Sequence, residues 1–312
     1  MVVVIGGTNI DIIGYAKNEF SYATSNIGDI LYTPGGVSSN IAHNLANLDV
    51  PVTLLTAVGD DFYGKLLVEK NLSFGVDISN VLVKENASTG TYLAILDNMG
   101  ELASAICNTD VLDYIDVSYL KSKIDIIRKA SILVCDTNIP KKSIEYLVSL
   151  SRKYNIPIVI EPVSCAKSKK ILDTLDGIYM ITPNFDELCT INNVSNIDNS
   201  DDNILKLSKN LIHSGVSNVL VTCGSRGVCF TNRDTSIFLD SIKTDIVNVT
   251  GAGDSLVSGI LYGMHNNYDI VDCIKYGICA ATITIQSKDT VSCNLNEDSI
   301  RKLFVANYIS MW

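Results

Sequence analysis

Short runs of β-branched and other apolar residues, punctuated by Gly, Asn or Asp, recur along the chain and predict buried strands. These runs lie at residues 2–5, 52–57, 132–135, 158–160, 177–181 and 219–222. Segments with helical spacing of apolar residues lie between them, at residues 38–48, 63–71, 124–129, 142–154, 203–213, 255–266 and 269–284. The alternation predicts an α/β fold, in which a mostly parallel central sheet has helices on both faces.

Two stretches break this alternation and predict strands outside the central sheet. Residues 12–33 have no helical period, and residues 88–106 have the pattern of a hairpin with a turn at 97–100. The two stretches would pair most simply as a small β-sheet beside the core, which in an α/β protein is a natural lid. Two unrelated surface loops are the alternative. We expect residues 1–312 to form one domain, with the lid at about 12–33 and 88–106.

The composition is that of a folded globular protein, since 47% of the 312 residues are hydrophobic and 19% are charged. Lysine and arginine total 24 against 34 aspartates and glutamates, a formal net charge of -10. No basic field is available to hold a phosphate backbone, so we expect no nucleic-acid partner. A small anion remains compatible with this charge, because backbone N–H groups at the start of a helix can bind a phosphate.

The nine cysteines lie mostly in apolar stretches and include no C-x-x-C pair, which predicts buried free thiols in a reducing cytoplasm. The amino-terminal sequence has no basic segment or small-residue cleavage site. No apolar run approaches the roughly 18 residues of a membrane span. We therefore expect a cytoplasmic protein with no membrane partner. The three histidines lack metal-ligand spacing, so no histidine metal site is expected.

The segment Gly251-Ala252-Gly253-Asp254 precedes an apolar helical pattern at residues 256–264. Its small residues let a substrate approach the backbone, and successive N–H groups at a helix start would form an anion hole. Asp254, in the first turn, could accept a proton there. The structural alternative is a plain helix cap after a tight glycine turn.

A second glycine segment also leads into a predicted helix. Gly35 and Gly36 precede a helical pattern with Asn40 in its first turn. Such a segment would present backbone N–H groups and a side-chain amide to a polar ligand. His43, one turn later, is expected to be a packed or surface histidine and not a catalyst.

Two further polar segments follow predicted strands. Asn184 and Glu187, spaced i and i+3, would share a helix face and suit indirect contacts with Mg²⁺ or phosphate. A capping box that starts at Asn184 is the alternative for this pair. The glycine turn after residues 219–222 is either a hairpin or a nucleotide-facing loop.

Taken in order, these segments resemble the ribokinase-like family of sugar and nucleoside kinases, the phosphofructokinase B family. The matching segments cover essentially the whole chain and lie at residues 6–11, 35–40, 184–187, 222–224 and 250–254. The resemblance implies a three-layer ribokinase-like fold with a small β-sheet lid. It also implies a kinase that uses ATP and Mg²⁺, with a site for a monovalent cation such as K⁺.

The resemblance implies a role for each matched residue. Asp254 would take the proton of the sugar 5′-hydroxyl, and the stretch Gly251-Ala252-Gly253 would stabilise the transferred γ-phosphoryl group. The implied sugar-binding residues are Asn9, Asp11, Gly35, Gly36, Asn40 and Thr91. Those implied for ATP are Asn184, Glu187, Thr222, Gly224, Gly227, Gly277 and Ala280. Glu187 would hold Mg²⁺ through water. A monovalent cation would be held by Asn248, Thr250, Ser287 and Ser292.

Within the family, the chain is most similar to the pseudouridine kinases, through residues 22–28, 34–37, 57–64, 91–101, 162–164 and 247–254. This similarity implies pseudouridine as the substrate. Another ribose, uridine or adenosine kinase is the alternative, as is a nucleoside sensor without catalysis, against which the intact Asp254 motif argues. Asn248 departs from the general family pattern, where an Asp commonly begins this motif, and the departure puts a nearby cation site in doubt.

The nucleobase and a second copy of the chain are the remaining expected partners. Four residues follow strands at the edge of the sheet where ligands bind in open α/β folds, and would contact the nucleobase. They are Asn138, Glu161, Ser164 and Lys167. Each could instead be a solvated loop residue. A homodimer through the lid is permitted by the apolar alternation at Tyr92, Ala94 and Leu96.

Overall fold

A computed structural model describes residues 1–309. Its strands are β1 (Val2–Ile5), β2 (Asn9–Ala16), β3 (Gly28–Gly35), β4 (Val52–Leu55), β5 (Ala57–Gly59), β6 (Leu82–Lys84), β7 (Thr91–Leu96), β8 (Leu102–Asn108), β9 (Ile132–Asp136), β10 (Ile158–Glu161), β11 (Met180–Ile181), β12 (Asn218–Thr222), β13 (Val228–Asn232) and β14 (Ser236–Leu239). Its α-helices are α1 (Val37–Asn47), α2 (Phe62–Ser73), α3 (Val117–Ser122), α4 (Ile124–Ile127), α5 (Lys141–Tyr154), α6 (Cys165–Ser168), α7 (Phe185–Ile191), α8 (Asp201–His213), α9 (Ala252–His265), α10 (Ile270–Ile285) and α11 (Glu297–Tyr308). Short 3₁₀ segments lie at Asp110–Tyr114, Lys169–Ile171 and Gly224–Arg226.

The central sheet has eight strands in the order β14-β13-β12-β11-β10-β9-β1-β4. Neighbours from β12 to β4 run parallel, whereas β13 and β14 are added antiparallel at one edge. The parallel strands are apolar at nearly every position because helices cover both of their faces. This confirms the predicted α/β fold with a mostly parallel sheet.

Some elements differ from the sequence pattern. The strand predicted at 52–57 divides, because β4 stays in the central sheet and β5 pairs with β6. The strands β13 and β14 and the helix α11 are not predicted at all. The signal of β14 is weak because its residues alternate between exposed and partly buried. Helix α11 buries only Ile300 and Phe304, which is a narrow apolar stripe.

Alternate residues of each central strand enter two separate cores, which produces three layers. Val3 and Ile5 of β1 lie in one core with residues of α3, α5, α7 and α8. Val2 and Val4 lie in the other with residues of α1, α9, α10 and α11. The helices α1 and α9 are thereby held side by side, with their amino-terminal ends at the ligand edge of the sheet.

A four-stranded small sheet, in the order β3-β2-β7-β8, lies outside the central sheet. Strand β2 pairs antiparallel with β3 and parallel with β7, so the two irregular stretches form one sheet and are not separate loops. The strands extend beyond the predicted limits of the lid, since β2 begins at Asn9, β3 ends at Gly35 and β8 ends at Asn108.

All nine cysteines are free thiols, as predicted. Cys107, Cys165 and Cys293 are exposed, so the expectation of burial is wrong for these three. Among residues 1–309, no helix combines the length and the apolar character that crossing a membrane requires.

Candidate active site

The start of α9 presents backbone N–H groups that could bind an anion. Gly251 caps the helix with a left-handed backbone (φ 82°), a conformation that costs glycine little. Ala252 donates its N–H to Val249 O at 3.2 Å. Within residues 1–309 the N–H groups of Gly251, Gly253 and Asp254 have no acceptor. The positive end of the helix dipole lies here too. The predicted anion hole therefore loses the Ala252 N–H and gains that of Asp254.

A polar contact among three helices fixes the start of α9. The Ser255 hydroxyl oxygen accepts hydrogen bonds from Asn44 Nδ2 of α1 at 3.1 Å and from Thr284 Oγ1 of α10 at 2.7 Å. It donates to Gly251 O at 2.9 Å. All three side chains are fully buried, so separating any pair would leave a buried polar atom unpaired. Ser255 therefore anchors the helix against two neighbours and does not only cap it.

Asp254 lies where two cavities meet. Its Oδ2 atom accepts a hydrogen bond from Asn40 Nδ2 at 2.7 Å, although the two residues are 214 positions apart. Burial raises the pKa of Asp254 to about 7, the Asn40 hydrogen bond lowers it, and the charges of Asp136 and Asp11 raise it further. A carboxyl group with a pKa near neutral pH is suited to general-base catalysis.

A cavity of about 260 Å³, the acceptor cavity, lies between the small sheet and the ligand edge of the central sheet. The predicted substrate-binding residues that line it are Asn9, Asp11, Gly36, Asn40, Asn138 and Lys167. Gly251 and Asp254 line it as well. Asn9 Nδ2 donates to Asp11 Oδ1 at 2.5 Å. Burial raises the pKa of Asp11 to about 6, although this hydrogen bond lowers it.

Four predicted substrate-binding residues do not line the acceptor cavity: Glu161, which is described below, and Gly35, Thr91 and Ser164. Gly35 packs against the Asp11 carboxylate, which leaves no room for a side chain there. The Thr91 hydroxyl donates to Thr89 O at 3.1 Å. The Ser164 side chain caps α6. Gly35, Thr91 and Ser164 make these contacts within the protein and do not line the acceptor cavity.

The small sheet contributes residues that the sequence motifs do not identify. Tyr92 and Cys107 line the acceptor cavity, together with Thr109 just after β8. In the sheet register, Asp11 is opposite Tyr92, and Tyr92 is opposite Cys107, so all three share one face. The period-two alternation of a strand could have identified Tyr92, because its side chain is on the opposite face from Thr91.

The loop after β9 is held from one side by two lysines. Lys167 Nζ donates to Asn138 Oδ1 at 2.5 Å. Lys170 Nζ donates to the carbonyl oxygens of residues 137–139, at 2.9, 3.2 and 2.9 Å. Val163, which also lines the acceptor cavity, has φ 65°, a rare conformation for a β-branched residue. These contacts hold Asn138 and Lys167 in place where they line the acceptor cavity.

A second cavity of about 200 Å³, the middle cavity, adjoins the acceptor cavity at Asp254. The predicted site residues that line it are Glu161, Asn184, Glu187, Thr222, Gly253 and Asp254. The sequence predicts Glu161 at the nucleobase, but the structure places it here and not in the acceptor cavity. Its Oε2 atom accepts from Thr182 Oγ1 at 2.5 Å. Burial raises the pKa of Glu161 well above its usual range.

Asn184 and Glu187 form a capping box at the start of α7. Asn184 Oδ1 accepts the Glu187 N–H at 2.9 Å, and the Asn184 N–H donates to Glu187 Oε2 at 3.0 Å. Burial raises the pKa of Glu187. The structural alternative for this pair is thus realised, but it does not exclude metal contacts, because carboxylate oxygens keep further lone pairs.

The residues around Glu187 fit a Mg²⁺ ion held through water. Among residues 1–309, no three His, Cys, Asp or Glu side chains cluster as a metal site. Mg²⁺ keeps several waters and is commonly held by one or two carboxylates together with substrate phosphates. Glu187 provides such a donor set beside the start of α9, where the carboxyl groups of Glu161 and Asp254 line the same cavity.

A third cavity, of about 650 Å³, adjoins the middle cavity at Gly253 and is lined mostly by apolar side chains. Thr222, Gly224 and Gly227, which the sequence predicts at ATP, line this cavity at the turn that joins the antiparallel strands β12 and β13. That turn is therefore both a hairpin connection and a cavity wall. Residues 241–244, which no sequence motif identifies, form another part of the wall.

Gly277 and Ala280 are corrections to the predicted ATP-facing set. Both lie on the face of α10 that is turned inward. A side chain at Gly277 would collide with Leu256 O of α9, and Ala280 is fully buried in the core. The neighbouring positions Ile278 and Ala281 line the third cavity instead. The helical period separates the two faces, and the sequence alone does not say which face meets the cavity.

The four residues predicted for a monovalent cation make hydrogen bonds with nearby backbone groups. Asn248 Nδ2 donates to Lys288 O, and its Oδ1 accepts the Thr250 N–H, both at 3.0 Å. The hydroxyl oxygens of Ser287 and Ser292 each accept a backbone N–H within their own turns. Asn248 and Thr250 line a fourth cavity, of about 610 Å³, which adjoins the acceptor cavity at Asp11, Thr250 and Thr290, whereas the two serines do not line it. The shared K⁺ site stays a prediction.

Comparison with known proteins places this geometry in a family. The model of the pfkB family carbohydrate kinases matches residues 1–297. The pseudouridine kinase of Escherichia coli (strain K12) is 32% identical over 311 residues, which cover 99% of this chain and 96% of that protein.

Solved structures agree with the fold. A carbohydrate kinase from Agrobacterium tumefaciens is 27% identical and superposes with a TM-score of 0.83, covering 97% of this chain and 96% of that one. A ribokinase of Arabidopsis thaliana, complexed with ribose and ATP, is 22% identical with a TM-score of 0.82 and covers 97% of each chain. The chain therefore belongs to the pfkB family of carbohydrate kinases and is a sugar or nucleoside phosphotransferase with a ribokinase-like fold.

Proposed function

We propose that the protein transfers the γ-phosphoryl group of ATP to the 5′-hydroxyl of a nucleoside, pseudouridine. The observation that carries this proposal is the continuity of three cavities at the start of α9. Asp254 lines both the acceptor and the middle cavity, and Gly253 lines both the middle and the third cavity. A nucleoside in the first cavity and ATP in the third would bring their reacting groups together at this helix start.

The proposed chemistry uses the side chains and N–H groups already described. Asp254, oriented by Asn40, takes the proton of the 5′-hydroxyl while the oxygen of that hydroxyl forms a bond to the γ-phosphorus. The bond from that phosphorus to the β,γ-bridging oxygen breaks and leaves ADP. The N–H groups of Gly251, Gly253 and Asp254 stabilise the negative charge on the transferred group. Mg²⁺, when bound near Glu187, would neutralise phosphate charge.

The nucleoside class is supported by the size and polarity of the acceptor cavity. Asp11 and Asn9 would hold the ribose hydroxyls near Asp254. Asn138 and Lys167 line the same cavity and offer polar groups to a base. The identity shared with the E. coli pseudouridine kinase supports pseudouridine among nucleosides.

We also propose that two copies of the chain pair through the outer face of the small sheet. Tyr92, predicted at this contact, instead faces the acceptor cavity, and Ala94 is buried. The outer face, which α2 covers in part at Ile12, carries Tyr32, Leu93 and Ile106, which are 55%, 37% and 67% exposed. They lie in one row across the sheet, since Ile12 is opposite both Tyr32 and Leu93, and Leu93 is opposite Ile106. Ile106→Glu should convert a dimer to a monomer in sedimentation, and a monomeric parent protein would contradict the pairing.

The function is tested by ATP-dependent ADP release from purified protein with Mg²⁺ and K⁺. Pseudouridine, uridine, adenosine, ribose and fructose 6-phosphate are compared, with the Asp254→Asn variant as the control for contaminating kinases. We expect fastest release with pseudouridine. Equal rates with pseudouridine and ribose would remove the nucleoside assignment and leave a ribose kinase. Calorimetric binding of a nucleoside without ADP release would indicate a sensor.

A further inference from the structure

Asp136, at the end of β9, is a buried carboxylate that the proposed chemistry does not use. Its side chain is fully buried. Its Oδ2 atom accepts from the Gly7 N–H at 2.7 Å, the Ser38 N–H at 3.2 Å and the Ser38 hydroxyl at 2.7 Å. Its Oδ1 atom accepts the Asn138 N–H at 2.9 Å. One carboxylate thus receives four donors from three separate chain segments.

Each of these segments leads directly to a residue of the acceptor cavity. Gly7 is two residues before Asn9 in the segment that enters β2. Ser38 is two residues before Asn40, whose side chain binds Asp254. Asn138 lines the cavity itself. The Asp136 carboxylate is therefore the common attachment point for three walls of one cavity.

Gly6 also packs directly against the Asp136 side chain. This residue has φ 153°, and a side chain there would overlap both the Asp136 carboxylate and the Ser38 hydroxyl. A charged acceptor also makes stronger hydrogen bonds than a neutral one. An asparagine has the same shape, but its amide nitrogen would face N–H or O–H donors on one side and could not accept from them.

We propose that Asp136 is a positioning residue of the acceptor site, which holds the segments of Gly7, Ser38 and Asn138 so that the nucleoside is presented to Asp254. Asp136 lines none of the described cavities, so it acts on the acceptor through these segments, and its charge also raises the pKa of Asp254. The ATP-facing walls are built from β12, α9, α10 and residues 241–244, none of which bonds to Asp136. The inference rests on the proposed function, because it assigns the acceptor to this cavity.

The test compares the KM for the acceptor with the KM for ATP in Asp136→Asn, using pseudouridine or whichever of the five acceptors the parent enzyme turns over best. We expect the acceptor KM to rise at least about tenfold and the ATP KM to stay within about twofold. Ser38→Ala, which keeps the charge and removes one donor, should raise the acceptor KM about threefold. Calorimetric binding of the acceptor without ATP should weaken by the same factors.

Asp77→Asn is the control for a merely structural carboxylate. Asp77 accepts from the Thr53 hydroxyl and the Ser79 N–H, both at 3.0 Å, and lies outside the described cavities. Asp77→Asn should lower thermal stability and leave the KM values for the acceptor and for ATP unchanged. The proposal is overturned if folded Asp136→Asn keeps the parental acceptor KM, or if it raises both KM values equally. Should Asp136→Asn not fold, an unchanged acceptor KM in Ser38→Ala overturns it. A parent enzyme that releases no ADP with any acceptor would instead contradict the proposed function.

Discussion

Buried carboxyl groups define the site at the scale of single residues. Asp11 and Asp254 have pKa values raised to about 6 and about 7, in both cases mainly by burial. Burial disfavours the charged form of a carboxyl group, so these side chains are held near their ionisation point at neutral pH. A group in that state can accept a proton in one step and return it in another.

Asp254→Asn should lower kcat at least about a hundredfold, because the amide cannot accept the hydroxyl proton. The Asn40 hydrogen bond is retained if the new amide oxygen occupies the Oδ2 position. Nucleoside binding, measured by calorimetry, should therefore survive within a few-fold. Turnover close to the parental rate would show that Asp254 is not the base.

The pKa of Asp254 predicts a pH dependence. As pH falls below about 7, Asp254 becomes protonated, so kcat/KM should fall about tenfold for each pH unit. Its folded pKa lies above the ordinary value of 3.8, so the parent loses stability relative to Asp254→Asn as pH rises from 4 to 7. The pH dependence of kcat/KM and of the free energy of unfolding, both measured between pH 5 and 8, tests these two predictions. A flat kcat/KM profile across this range would contradict the assignment.

At the scale of elements, the starts of α1, α7 and α9 converge on the ligand edge of the sheet. The capping box of α7 shows how one pair can serve both a helix and a ligand site. Asn184 and Glu187 satisfy the free N–H groups of the helix start, which fixes the Glu187 carboxylate beside the middle cavity.

Glu187→Gln separates these two roles. The glutamine oxygen can still accept the Asn184 N–H, so the helix cap is kept while the charge is removed. We expect the Mg²⁺ concentration for half-maximal activity to rise at least about tenfold, with little change in melting temperature. Activity is measured across a Mg²⁺ titration, and melting by calorimetry.

The second capping box in the chain supplies a matched control. Asn296 and Ser299 form it at the start of α11, far from the three cavities. Ser299→Ala should lower the melting temperature by about 1–3 °C and leave the Mg²⁺ dependence unchanged. A Glu187→Gln variant that behaves like Ser299→Ala would indicate that Glu187 only caps its helix.

At the scale of the whole molecule, the small sheet covers the acceptor cavity from outside the central fold. Its inner face carries Asp11, Tyr92 and Cys107, which line the acceptor cavity. Closure of such a cover over bound substrate would protect the transferred group from hydrolysis.

Nucleoside binding should slow alkylation of Cys107 at least about tenfold, because this exposed thiol lines the acceptor cavity. Cys165, exposed but outside the described cavities, serves as the control and should change less than about twofold. Site-resolved mass spectrometry measures both. Closure itself is reported by slower hydrogen exchange in β3, and exchange that does not change on nucleoside binding would argue against a moving lid.

The sequence by itself determined the features that depend on neighbouring residues. The period of apolar positions predicted most central strands and helices, and the glycine motifs predicted where helix starts would carry N–H groups and polar side chains. Asn184 with Glu187 and Gly251 with Asp254 are such local signals, since caps and tight turns are built within one or two helical turns.

Only the tertiary structure decided which of these residues meet. The structure turns Gly277 and Ala280 toward the core. It places Glu161 at the middle cavity, and Tyr92 and Cys107 at the acceptor cavity. It also joined Gly7, Ser38 and Asn138 through Asp136. The physical reason is that strand register and helix rotation are set by packing between distant segments, and no local pattern specifies which partner a side chain will face.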